Sequence, residues 1–280
     1  MAHPQDSNTP ATAVTAAYPV VGAFVLVVLA LQAALGSGPG SVRNLASLPV
    51  LAGAFLWSWP LLAYALGLGL RRSWARDLGA AAALASLIRA LAAFPRYPLL
   101  ALAYRTDHPN AAPIWGVLKH SLFDATVFAL LCAGCLLALS RPETRKACES
   151  APGQPNWTRG LPLSALLLLA AQIETANRAL IALGNRFSLE GILWAGFAVA
   201  LTVGLWKRSR IAHWAAAVEG LWILADAWRL GLERALSAER GAGLPSLWHG
   251  AEAFSRGLPE LALAAAFLVV WFPARNAFKN

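Results

Sequence analysis

Apolar residues along this chain gather into eight long runs, divided by short polar, glycine- or proline-containing stretches. The runs are Tyr18–Leu35, Ser47–Leu70, one starting near Leu78, Ser121–Ser140, Leu161–Gly184, Ser188–Trp206, Ile211–Gly231 and Leu258–Phe272. Most approach the ~20 residues that a helix needs to cross the hydrocarbon core of a bilayer. The breaks between them carry ordinary stop signals. Gly36-Ser37-Gly38-Pro39-Gly40 follows the first run, and Arg71-Arg72 ends the second. Pro95 and Pro98 are expected to bend or end the third, with an irregular segment from there to His120. Arg141-Pro142 ends the fourth, a longer polar loop follows it, and Lys207-Arg208 ends the sixth. A loop is expected over residues 232–250. The pattern predicts an all-α fold: a polytopic transmembrane helical bundle of about eight spans. Residues 1–17 read as a disordered polar N-terminus, 18–273 as a single transmembrane bundle and 274–280 as a short basic tail.

The runs also pair. Even-numbered runs begin alike, with Ser47-Leu48-Pro49, Ser121-Leu122-Phe123-Asp124, Ser188-Leu189-Glu190 and Gly257-Leu258-Pro259-Glu260. They end alike on Arg or Lys. Arg-Ala-Leu recurs in or after the odd runs, at Arg89, Arg178 and Arg234. Four helical hairpins follow, each an odd run going out and an even run returning. Repeat-built membrane proteins often place sites between their repeats.

Composition agrees. Apolar residues make up 58% of the 280 and charged residues 13%, against roughly a quarter charged in a soluble domain. The net charge of +9 would raise nucleic acid in a soluble protein. Here the basic residues cluster at run ends, which membrane topology explains, and no nucleic-acid module is present. Lys and Arg are more numerous after even runs and in the tail than after odd runs. That bias puts both termini of an integral, multi-pass membrane protein in the cytoplasm. The sequon Asn156-Trp157-Thr158 then faces the cytoplasm and stays unmodified. Trp115, Trp206, Trp214, Trp248 and Trp271 lie near run ends and suit an aromatic belt. Cys132 and Cys135 form a C-x-x-C inside a run, read as small buried apolar side chains rather than a redox pair. The first run, with no basic residue before it, reads as a retained span rather than a cleaved signal.

Charges inside the runs are the candidates for function. Such groups are costly in a bilayer and face a partner or a polar interior. Glu174, Asn177 and Arg178 lie deep in the fifth run, and Glu174 and Arg178 are spaced i,i+4, so they can neutralise one another. Glu219, Asp226 and Glu233 recur every seven residues in and past the seventh run, with Arg229 beside Asp226. Arg89 lies within the third. The Glu174 group reads as a substrate or proton site, or as an internal ion pair that fixes helix register. Glu219 and Asp226 read as a proton relay or general acid, as partners of Arg89 or Arg178 from another run, or as exposed to a watery vestibule. Asp124, Glu190 and Glu260 follow Ser or Pro at run starts and read as helix-start acids that complement the dipole. Glu252, Arg256 and Glu260 at i,i+4 read as a salt-bridged first turn. His120 and Asp124 are too few for a metal site. No histidine pair could hold a haem, and no cofactor is implied. There is no Walker A loop, dinucleotide fingerprint, H-E-x-x-H or G-x-S-x-G.

Deep in the runs, Arg89, Arg178 and Arg229 balance Glu174, Glu219 and Asp226. A near-neutral polar network in a greasy bundle suits an amphiphile better than a one-signed ion pore does. The pattern from Ile88-Arg89 through Ser121-Leu122-Phe123-Asp124 to Arg141-Pro142 resembles the fungal seven-helix lipid-translocating exporter family. The likeness covers one hairpin of four and lacks the surrounding aromatic and acidic residues, so it does not place the chain in that family. The expectation is a protein in a lipid bilayer that binds or transports a lipid-like or amphiphilic small molecule, with Glu174, Asn177, Arg178, Glu219, Asp226, Arg229 and Arg89 lining its polar site. Two alternatives stand beside it. One is an intramembrane isomerase or cyclase using a buried carboxylate as acid/base. The other is a non-catalytic subunit or assembly factor with a protein partner in the membrane.

Overall fold

The computed structural model describes residues 73–108, 114–142, 160–182, 189–241 and 247–274. The N-terminal segment, the first two apolar runs, Cys148, the sequon at Asn156 and the tail from Arg275 lie outside the described residues. The described residues are helical with short connections, and no strand occurs among them. The helices are α1 (Ser73–Ala93), α2 (Arg96–Asp107), α3 (Trp115–Ser140), α4 (Gly160–Ala182), α5 (Leu189–Trp206), α6 (Arg210–Gly241), α7 (Leu247–Ser255) and α8 (Leu258–Ala274). The all-α class therefore holds.

Three boundaries differ from the pattern's expectation. The segment after Pro95 is helical rather than irregular: α2 resumes at Arg96, and Pro98 sits in its first turn. A proline there removes only an N–H that has no intrahelical partner anyway. α3 starts at Trp115, six residues before Ser121, so Ser121 and Asp124 lie inside the helix and not at its start. α6 runs ten residues past Gly231, through a segment expected to be a loop. Gly231 does not stop it because the following residues, Glu233-Arg234-Ala235-Leu236, are strong helix formers. A 2.7 Å bond from Arg229 to Glu233 also spans that turn.

The α5–α6 connection is tight. Ser209 N–H bonds to the Gly204 carbonyl at 2.9 Å and Arg208 N–H to that of Leu205 at 3.0 Å. This is a Schellman ending, which needs a left-handed residue, and Arg208 takes that place at φ 57°.

The described residues fall into two units. One holds residues 73–83 and 131–142; the other holds 84–108, 114–130 and those from 160 on. Cys132 and Cys135, in the first, are buried. In the second, α8 packs chiefly on α4, α7 and α8 both pack on α6, α7 also meets α2, and α5 lies against α4 and α6. α6 and α8 run antiparallel. His213 stacks on Trp271 with ring centroids 4.7 Å apart, Gly220 meets Phe267, and Gly257 lies beside the Ala227 carbonyl. At Gly220 the Phe267 ring lies against the α6 backbone: a Cβ there would fall 2.5 Å from Cε1 of Phe267, itself fully buried. Gly220→Ala is therefore expected to destabilise by about 1 kcal/mol net, an overpacking cost of about 2 kcal/mol offset by alanine's better helix propensity. Thermal melts of the purified protein would read this, and Phe267→Leu in the same chain should restore the midpoint. A Gly220→Ala protein as stable as wild type would refute the close contact.

The exposed face of α6 is apolar. Ile211 (83% exposed), Trp214 (65%), Val218, Leu221, Trp222 and Trp228 point outward, while Ala212, Ala216, Ala217, Gly220, Ile223 and Ala227 point inward. Among the described residues one continuous stretch, Trp74–Asp107, is long and apolar enough to cross a membrane. The pair α7–α8, bent by 49°, reaches that length if counted as one span. The apolar stretches of α3, α4 and α5 are shorter (Ala125–Ser140, Leu163–Thr175 and Gly196–Leu205). The described helices thus do not establish eight spans. In α4 the shortening has a visible source, since the apolar stretch stops where Glu174, Asn177 and Arg178 begin to interrupt it.

Candidate functional site

The polar side chains gather where α7 and α8 part. Arg256 and Gly257 form the break, with Gly257 N–H bonded back to the Phe254 carbonyl at 3.0 Å. Just before it, Glu252 is buried, its side chain 6% exposed. Its carboxylate accepts from Arg256 Nε (3.0 and 3.2 Å) and Nη2 (2.9 Å), and from Arg96 Nε of α2 at 3.4 Å. The Ser255 hydroxyl, also buried, donates to the Glu252 carbonyl at 2.7 Å. Along the same α2–α7 contact, His249 Nε2 meets the Asp107 carboxylate at 2.8 Å.

Just after the break, Glu260 lies in the first turn of α8 and is buried. Its carboxyl group meets the hydroxyl of Thr175 on α4, and that hydroxyl also lies 3.0 Å from the Ala171 carbonyl. With a single hydrogen, Thr175 donates to one of the two at a time. The neighbouring Glu174 pairs with Arg89 of α1. One turn back on α4, Gln172 is wholly buried, and neither atom of its amide has a hydrogen-bond partner among the described residues. Unsatisfied buried polar atoms of this kind are scarce in folded proteins and call for a reason. On the other flank, Gly257 approaches the carbonyl of Ala227, which follows Asp226. The Asp226 carboxylate accepts from Arg229 at 3.0 Å, and Arg229 also reaches Glu233. A band of charged and polar groups from α1, α2, α4, α7 and α8 thus surrounds one helix break, with the Asp226 end of α6 against it.

The expected residues are distributed as follows. Arg89 and Glu174 meet, so Glu174 has an ion partner on another helix. The backbones of Asn177 and Arg178 continue α4, and their side chains lie outside the described residues, as do those of His120, Asp124 and Glu190. Asp226 and Arg229 pair on α6, with Arg229 largely exposed. Glu219, two turns earlier, is partly buried with Oε1 inside. Among the described residues no three His, Cys, Asp or Glu side chains converge as a metal would require.

Beyond the expected site residues the band also holds Arg96, Gln172 and Thr175, and Glu260 has an inward role. Glu252, Arg256 and Glu260 look like one i,i+4 ladder, and the Glu252–Arg256 rung is present. The break after Arg256 then removes Glu260 from the ladder and turns it toward α4. Gly257 followed by Pro259 was the available signal. Compared with protein-family models, with curated proteins and with solved structures, the chain matches none.

Proposed function

We propose that the chain is a polytopic helical membrane protein that binds or carries a lipid-like or otherwise amphiphilic small molecule at the polar band around the α7–α8 break. The observation that carries this reading is the band itself: charged groups from five helices gathered at a break in an otherwise apolar helix pair. Broken helices are where membrane transporters present polar groups to a ligand. The apolar outward face of α6 supports a lipid surround, since a helix in water turns such a face inward. The pairings also respect depth. Arg96, at the end of the third run, meets Glu252, just before the eighth; Trp271, near the end of the eighth, meets His213, near the start of the seventh. Hairpins that alternate direction require that match, and the Lys/Arg bias would then put both termini on the cytoplasmic side. Glu174, Arg89, Asp226 and Arg229 would line the polar end, with Asn177, Arg178 and Glu219 near it.

The test is mass spectrometry of what co-purifies from native membranes with wild type, Glu174→Gln and Asp226→Asn. A discrete amphiphile enriched on wild type and depleted on the variants is expected. Bulk lipid identical in all three, accompanied by a stoichiometric protein partner, would replace this reading with that of a membrane subunit.

A further inference from the structure

Resting on the amphiphile reading, we infer that Arg96 and Arg256 form a seat for an oxyanion, the phosphate or carboxylate head of an acidic amphiphile. The argument begins with charge. Two guanidiniums, which stay protonated in proteins, converge on one carboxylate, that of Glu252. Glu252 can balance only one of them, and the next acid, Glu260, lies on α8 and meets Thr175 of α4. Asp107, the other acid on the α2–α7 contact, is already met by His249 at 2.8 Å.

Donor geometry points the same way. Arg256 holds Glu252 through Nε and Nη2, leaving Nη1 unused by it. Arg96 touches Glu252 only through Nε at 3.4 Å, so both of its terminal amines are unused by it. Both arginines are about half exposed, at 48% and 52%, while the carboxylate that fixes them is buried. Glu252 therefore acts as an anchor that aims two planar forks outward. Such forks match phosphate and carboxylate oxygens in paired hydrogen bonds, which a point-charge lysine does less well.

The surroundings suit a head with a greasy body. Leu247 and Trp248, on α7, are exposed, and Leu91 and Leu102 are exposed on α1 and α2 to either side of Arg96. An apolar tail lying along them would leave the head at the arginines.

The test uses the full chain in nanodiscs, titrated with phosphatidic acid, phosphatidylcholine or inorganic phosphate and read by native mass spectrometry. Wild type is expected to retain phosphatidic acid about tenfold over phosphatidylcholine, the factor that 1.4 kcal/mol of preference gives. Arg96→Gln should abolish most of that preference. It should still fold, because Arg256 keeps its two-pronged hold on Glu252. Lys207→Gln removes one exposed charge at the α5–α6 turn and should leave the preference intact. Competition by inorganic phosphate at millimolar concentration would support the seat and make a free oxyanion its source; no competition would support a lipid head. Equal retention of both lipids by wild type, or equal behaviour of Arg96→Gln and Lys207→Gln, would overturn the seat. A native amphiphile that co-purifies but ignores Arg96→Gln would overturn the seat and leave the amphiphile reading in place.

Discussion

Glu252→Ala is expected to lower stability by about 3 kcal/mol, measured as a large drop in the thermal midpoint of the detergent-solubilised protein. Breaking a buried ion pair from one side typically costs about 3–5 kcal/mol, because the remaining charge loses its partner. The low end applies here because both arginines are half exposed and can recover some solvation. The loss is larger than for an exposed pair such as Arg229–Glu233, whose removal should leave the midpoint nearly unchanged. Two arginines would be left facing each other between α2 and α7, so α7 should detach from α2 first. Limited proteolysis near residue 247 would detect that before global unfolding. Arg256→Met in the Glu252→Ala background should recover part of the loss, since it removes the orphaned charge. A Glu252→Ala protein as stable as the Glu233→Ala control would show that the carboxylate is not the anchor.

Gln172→Met is expected to act in the opposite direction, raising stability by about 2–4 kcal/mol. Both amide atoms of Gln172 are buried without partners among the described residues, and an unmet buried polar atom costs about 1–3 kcal/mol. Methionine fills nearly the same volume with a flexible apolar chain. A residue that opposes the stability of its own fold fits a site held open to a polar group that arrives later, the usual exchange of stability for function. The same variant should therefore retain less of any co-purifying amphiphile. A lower midpoint for Gln172→Met would mean that the amide is satisfied in solution and contributes to the fold.

Much of the helical framework could be read from the chain. The fifth and sixth runs, Leu161–Gly184 and Ser188–Trp206, end within about two residues of α4 and α5, because glycine and basic residues punctuate them clearly. The boundaries that escaped have physical causes. Ser121 and Asp124 have capping-box spacing, but Trp115 through His120 extend the helix upstream and leave no end to cap. Gly231 resembles a stop, yet it is a close-approach residue: a Cβ there would come within 2.8 Å of the Phe254 ring. The charged stretch on α4 was visible as an anomaly of depth. Its partners were not, because Arg89 and Glu260 are each 85 positions from the residue they meet. Arg96 was hidden for another reason: flanked by Pro95 and Pro98, it looked like part of an irregular connection, and only the recovery of helix at α2 gives it a fixed position.

The length of α6 has a mechanical consequence. Its 32 residues make a rod of about 48 Å at ~1.5 Å per residue. The apolar part up to Trp228 matches about 27 Å, close to one hydrocarbon thickness of ~30 Å. In the proposed membrane arrangement the charged remainder, from Arg229 to Gly241, stands in water as a stiff post. That post is continuous with the part of α6 that carries Ala227 against Gly257 and Gly231 against Phe254. In that arrangement a force on its far end would reach the α7–α8 break through one continuous helix.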